Sequence, residues 1–502
     1  MFDSKKHIVH LANGKLGNGR STAEEINALV AAAFKENKPG GLVINFHGGL
    51  VSEKSARETA EKRLYTHFLN DAGAYPVFFV WESGFFESPI NNLNEIVKED
   101  IFQEFVKKVS EWVLKKFGSA VGLRGGAGML LDEASLRDEF DEWFDGKRDK
   151  PPITTEVQQG VAGIKSRSAV DVPNEDDLAG EIDGALDDDF KTAVEGVAVG
   201  LTPATPGESR SAGVTVAVNS LISKEAATEL LEDQHGTKGV VAWFKVAKVV
   251  AKIVIRVIRR LRSGRDHGAY VTVVEEVLRE LYIDKIGRHV WWDRMKADTS
   301  DAFGNGDEYG GTVLLRALKQ EFANGGTLPA ITLVGHSTGA IYICNFLRAA
   351  ALHIPDQKFN VIFQAPAVTY TLFADAIREH GSRIANFRQF AMSDASEIKD
   401  VLVPILYTRS LLYFVSGLLE PQVDEPLVGM ERYLTDEKTY PVDDYPSIEV
   451  CKRFFEKHQK SLVWAPSSAG DGLNSAGAKH GDFDDADAQG MASVVHIFQN
   501  GY

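Results

Sequence analysis

A largely apolar run, Leu328 to Val334, stops at Gly335-His336-Ser337-Thr338-Gly339, and an apolar helical stretch, Ala340 to Ala351, follows at once. Few folds accept that succession. A buried strand that turns straight into a helix forces the corner residue into a strained backbone, and only small neighbours avoid collision there. Glycines on both sides of Ser337 meet that demand. The bare pattern G-x-S-x-G arises by chance in many chains; the strand before it and the helix after it make it informative.

The same alternation recurs at both ends of the chain. Gly41 to Phe46 is an apolar run that stops at His47-Gly48-Gly49 and predicts a buried strand entering a tight loop. Residues 52–70 place Ala56, Ala60, Leu64 and Phe68 at helical spacing, and Tyr75 to Trp81 predicts a second strand, dense in aromatic and β-branched side chains. Beyond residue 270 come a helix over about 271–283, the run into Ser337, and strands at Phe359 to Phe363 and Phe387 to Met392. A helix near 370–380 separates those two strands, Ser461 to Trp464 predicts the last strand, and Asp484 to Phe498 a closing helix. Strands alternating with helices imply an α/β fold with a mostly parallel sheet flanked by helices. The expected division is a first part of the core at 1–117, a large mainly helical or partly disordered insertion at 118–270, and the rest of the core at 271–502. A long insertion between sheet elements usually caps a site or leaves the body of the fold.

Composition narrows the function classes. The 502 residues carry a formal charge of −16, which argues against nucleic acid as the main partner, since phosphate backbones need a broad basic surface. Two cysteines, Cys344 and Cys451, allow neither a disulfide framework nor a zinc site, and point to a reducing compartment. The first residues do not open a signal peptide, and no apolar stretch is long enough for a membrane span, so the expectation is a cytoplasmic protein. Between Asp171 and Asp189 nine of nineteen residues are acidic and none is basic, which predicts a solvated segment. No EF-hand ligand pattern is present there.

The setting of Ser337, with the His47-Gly48-Gly49 turn and the carboxylates and histidine downstream, resembles the α/β-hydrolase superfamily, specifically its serine esterases and lipases. The resemblance covers about 1–117 and 270–502. It implies the chain order nucleophile, acid after a later strand, histidine after the last strand. A serine hydroxyl needs an imidazole to take its proton. Among thirteen histidines, His480 fits best, in a Gly/Ser-rich loop between the last strand and the closing helix. His336 reads as a packing residue, His47 either braces the oxyanion loop or is simply buried, and His496 is structural. The acid that fixes the imidazole's tautomer is expected at Asp394, with Asp400 and then Glu397 as alternatives; Asp394 also suits a helix N-terminus. The oxyanion donors are expected from the N–H of Thr338 and from Gly48 or Gly49, with Leu50 standing where the lipase H-G-G-G motif has a third glycine. The resemblance implies hydrolysis of a small-molecule or lipid ester through an acyl-enzyme, with no metal or organic cofactor. The same groups serve amidases and acyltransferases.

One stretch stands outside this pattern. Residues 243–265 hold eight Lys or Arg and no acid, and the stripe Lys245, Lys248, Lys252, Arg256, Arg259 and Arg260 occupies one side of an otherwise apolar helix. Two readings stand: a cap helix packed on the core with its basic stripe facing solvent or the acidic segment, or a peripheral membrane contact. The second supports a lipid substrate. It also supports a rival from another class, a membrane-associated binding protein on a hydrolase scaffold.

Overall fold

The computed structural model describes residues 2–17, 19–49, 51–81, 87–118, 124–125, 133–154, 171–201, 220–234, 237–286, 291–485 and 487–502. Seven strands form the main sheet: β1 (Ile8–Leu11), β2 (Leu42–Phe46), β3 (Tyr75–Trp81), β4 (Ile331–His336), β5 (Phe359–Gln364), β6 (Ile384–Met392) and β7 (Leu462–Ala465). Their order is β1-β3-β2-β4-β5-β6-β7, and every neighbouring pair is parallel. The expected α/β class with a parallel sheet is therefore observed. β1 was not foreseen; Ile8-Val9-His10-Leu11 is too short to announce itself and is a strand because Trp81 and its neighbours on β3 pair with it.

Helices cover both faces. The helices used below are α1 (Ala23–Glu36), α2 (Glu53–Thr59, running on to Asp71 in wide turns), α3 (Asp100–Val113), α4 (Glu175–Asp183) and α5 (Asp188–Leu201). They continue with α6 (Trp243–Ser263), α7 (Ala269–Leu281), α8 (Gly310–Ala323), α9 (Gly339–His353), α10 (Tyr370–His380), α11 (Pro446–Lys457) and α12 (Ala488–Asn500). The pleat sorts the strand residues. Val43, Phe78, Val80 and Val334 pack under α2 and α12, whereas Leu42, Ile44, Phe46, Val77 and Phe79 face α1, α8, α9, α10 and α11.

The chain leaves the sheet after β3 and rejoins it at β4, on the opposite side of β2. The order of the strands therefore reverses between β2 and β4, and Phe46 pairs with Gly335 at their carboxyl ends. In parallel sheets such a reversal opens a crevice beyond the strand ends, because the two connections leave in opposite directions. His47-Gly48-Gly49 and His336-Ser337-Thr338 are the residues that follow those two ends.

Among the described residues between β3 and β4, α6 is the centre of a helical layer and packs on α3, α4 and α7. The layer takes in α3 on the near side of residue 118 and reaches Leu281 beyond residue 270, because both flanking helices bury apolar faces against α6. The acidic segment is not a solvated strand of chain. It forms α4 and α5, with Leu178, Ile182, Leu186 and Phe190 buried; most of its acids stay exposed, while Asp187 pairs with Lys108, Glu181 with Lys116 and Asp176 with Lys248, each at 2.7 Å. Helical periodicity overrides composition here because those cations come from α3, the turns after it and α6, far away in sequence.

The basic helix likewise packs against protein along its apolar face. Its apolar face, including Val250, Ile253, Val254, Val257 and Ile258, is buried by protein. Lys252 and Arg256 pair with Glu280, and Arg260 with Glu275 and Glu276. The apolar face of α6 is thus covered by protein, whereas Phe244, Lys245 and Arg259 near and along the stripe remain exposed. No helix among the described residues is long and apolar enough to cross a membrane.

Candidate functional site

Ser337 sits at the corner between β4 and α9 with φ of 53°, a left-handed conformation that costs a residue with a Cβ on the order of 1–3 kcal/mol. Its surroundings hold it there. The Ser337 N–H donates to Gln364 O at 2.8 Å, and Ser337 O accepts from the N–H groups of Ala340 and Ala367, each at 3.1 Å. A Cβ on Gly335 would lie 2.7 Å from the Gly339 backbone, and one on Gly339 only 2.2 Å from Phe46 O. Both flanking glycines are therefore required by close approach: one by the turn itself, the other by contact between α9 and β2.

The turn after β2 lies against this corner. A Cβ on Gly48 would stand 3.2 Å from Ser337 Cβ, so its bare backbone is what approaches the serine. Gly49 N–H donates to Thr338 Oγ1 at 3.1 Å. His47 braces the turn: one ring nitrogen donates to Gly48 O at 2.7 Å and the other accepts from Trp81 N–H at 3.2 Å, with the ring stacked on Trp81. Burial lowers its pKa to about 4, so both contacts are made by a neutral ring at pH 7.

Ser337, Gly48, His336, His480 and Asp400 line one cleft of about 410 Å³ at the carboxyl ends of the strands, within the usual size of a small-ligand site. The histidine loop is tied to the sheet, because Gln364 Nε2, at the end of β5, donates to Phe483 O. The His480 peptide is held at both ends, its N–H donating to Asp400 Oδ2 at 3.0 Å and its carbonyl accepting from His336 Nε2 at 3.1 Å. The buried imidazole itself makes no hydrogen bond through Nδ1 or Nε2. Burial, and then the neighbouring His336, hold its pKa well below the usual 6.5. Burial raises that of Asp400.

Asp394 is placed elsewhere. It occupies the first turn of a short helix, Asp394–Glu397, where its Oδ1 accepts from the Tyr413 hydroxyl at 2.7 Å and its N–H donates to Glu431. That helix, one turn long, carries the chain from the end of β6 to Asp400 beside His480. Glu397 is fully buried with Ser410 as its partner, and burial pushes its carboxyl well above the usual carboxylate range. His336, read from the sequence as packing, instead faces the cleft. His496 lies on α12, away from the cleft, with Asn500 beside it.

Two walls of the cleft were not foreseen. Ser55, Thr59 and Arg63 present one polar side; they follow a four-residue spacing on α2, one position before the buried stripe Ala56, Ala60 and Leu64. Val401, Leu402 and Leu411 form an apolar side, and Asp484 lies at the rim of the histidine loop. Among the described residues no group of three or more His, Cys, Asp or Glu side chains is arranged to hold a metal ion.

Fold and site together define an α/β protein with a parallel seven-stranded sheet and a cleft at its topological switch point. No family model, curated protein or solved structure matches the chain.

Proposed function

We propose that the protein is a serine hydrolase of carboxylic esters, built on an α/β-hydrolase scaffold with the helical layer as its insertion. The observation that carries this reading is Ser337, held left-handed at a strand–turn–helix corner in the same cleft as His480 and Asp400. Backbone strain at non-glycine residues clusters at functional sites. In this reading Ser337 Oγ attacks the acyl carbon while His480 takes its proton, and His480 then returns that proton to the leaving alcohol. Water, deprotonated by His480, releases the acid. Asp400 replaces Asp394 as the orienting carboxylate, since its Oδ2 already accepts from the His480 backbone N–H beside the ring and Asp394 is occupied by Tyr413. The Thr338 N–H and the Gly48 backbone supply the oxyanion donors, because Gly49 N–H is engaged by Thr338 Oγ1.

The unbonded His480 imidazole favours a second reading, a ligand-binding protein on the same scaffold. Labelling of the purified protein with a fluorophosphonate separates the two. Wild type labelled and hydrolysing p-nitrophenyl esters, with both lost in Ser337→Ala, supports the hydrolase. Absence of labelling and turnover in wild type overturns it and leaves the binding protein.

A further inference from the structure

His336 precedes the candidate nucleophile, is 4 % exposed and faces the cleft. Its Nε2 is 3.1 Å from His480 O. A carbonyl only accepts, so Nε2 carries a proton in this contact. Nδ1 makes no hydrogen bond of its own and abuts Gly48, whose added Cβ would fall 2.9 Å from it. The grip of His336 on the loop therefore depends on one atom. On the other side of the same residue, Asp400 Oδ2 takes the His480 N–H. The backbone of His480 is thus fastened at both ends, while its ring, whose centroid is 5.2 Å from that of His336, is held by no hydrogen bond.

We infer that His336 is a positioning residue: its Nε2–H fixes the peptide of His480, so that the imidazole reaches Ser337 by turning about its own side-chain bonds and the loop need not move. The catalytic consequence rests on the hydrolase reading; the clamp itself does not. A loop carrying a general base gains from such a clamp because a misplacement of about 1 Å costs on the order of a hundredfold in rate. Asp400 has two duties in this arrangement, holding the backbone with the imidazole turned away and orienting the ring once it has turned.

The test compares His336→Gln with His336→Asn, two neutral polar residues of similar character. Glutamine carries its amide nitrogen near the position of Nε2, whereas asparagine carries its own near Nδ1. The clamp predicts that His336→Gln keeps kcat within about threefold of wild type, while His336→Asn loses about 10- to 100-fold in kcat with KM little changed. Hydrogen–deuterium exchange over 478–484 supplies a readout independent of turnover. Exchange there quickens about tenfold in His336→Asn and stays near wild type in His336→Gln, the size expected for one lost hydrogen bond. Equal exchange in the two variants, or equal kcat in a wild type that is active, overturns the clamp. A wild type with neither labelling nor turnover overturns the hydrolase reading instead, and exchange still decides the clamp.

Discussion

Glu275, on α7, has no exposure to solvent and lies at the centre of a buried charge network. One carboxylate oxygen accepts from His267 Nδ1 at 2.7 Å and from the Tyr407 hydroxyl; the other faces Arg260 of α6 at 2.6 Å. His267 in turn reaches Asp424 at 3.1 Å, which also receives Arg265, Tyr433 and Tyr440. The network bolts the helical layer to the segment between β6 and β7. His267 and Arg260 outweigh the burial of the carboxyl and lower its pKa from 4.5 to about 2. At about 1.4 kcal/mol per pH unit, that preference for the ionised form contributes about 3 kcal/mol to folding, in line with the roughly 3–5 kcal/mol lost when one partner of a buried pair is removed. Glu275→Gln keeps the shape and removes the charge, so urea unfolding followed by tryptophan fluorescence at pH 7 should show a loss of about 3 kcal/mol. The sign with pH follows. A depressed carboxylate stabilises the fold fully above its unfolded value of about 4.5 and loses that contribution as pH falls towards about 2. The gap between wild type and variant should therefore shrink to about half near pH 3. A gap under about 1 kcal/mol at pH 7, or one that stays constant down to pH 3, refutes the reasoning.

Three further outcomes follow from the site. Asp400→Asn should lower kcat/KM on a p-nitrophenyl ester by about 10³- to 10⁴-fold, while Asp394→Asn leaves it within a few-fold; the reverse order returns Asp394 to the orienting role. The buried His480 titrates below 6.5, and a general base works only when neutral, so the acid limb of kcat/KM against pH should lie below 6.5 with a plateau at 7. An acid limb above 6.5 contradicts that burial. Gly339→Ala drives a Cβ to 2.2 Å from Phe46 O, a backbone atom of the central sheet, whereas Gly481 has nothing within 4 Å. Thermal unfolding should show Gly339→Ala destabilised by about 1–3 kcal/mol or more and Gly481→Ala unchanged, and equal melting temperatures would contradict the packing of α9 on β2.

The serine corner was legible because its demand is local: an apolar run, a strained residue and glycines at both flanks are all neighbours in the chain. Gly339 also answers a distant demand, Phe46 O, yet the same glycine serves both. Asp400 was harder to read. Asp394, Glu397 and Asp400 differ by three residues each, and which of them meets His480 depends on a single helical turn after β6. The polar stripe Ser55, Thr59 and Arg63 was visible at four-residue spacing, but a helix face that is not apolar reads as solvent until a cleft is found beside it. Composition misled at 171–189, where Leu178, Ile182, Leu186 and Phe190 recur every four residues among the acids.

The sequence by itself determined the alternation that makes a parallel α/β sheet, the corner at Ser337 and the glycine turn after β2, because these depend on side-chain period and backbone sterics within a few residues. Tertiary structure alone decided the partners. Glu275 meets Tyr407, Asp187 meets Lys108, and the apolar face of α6 meets protein. An amphipathic helix has the same pattern whether lipid or protein covers it, and a charge has the same chemistry before and after it finds its counter-ion. Such choices are made by whatever the fold brings within a few ångströms.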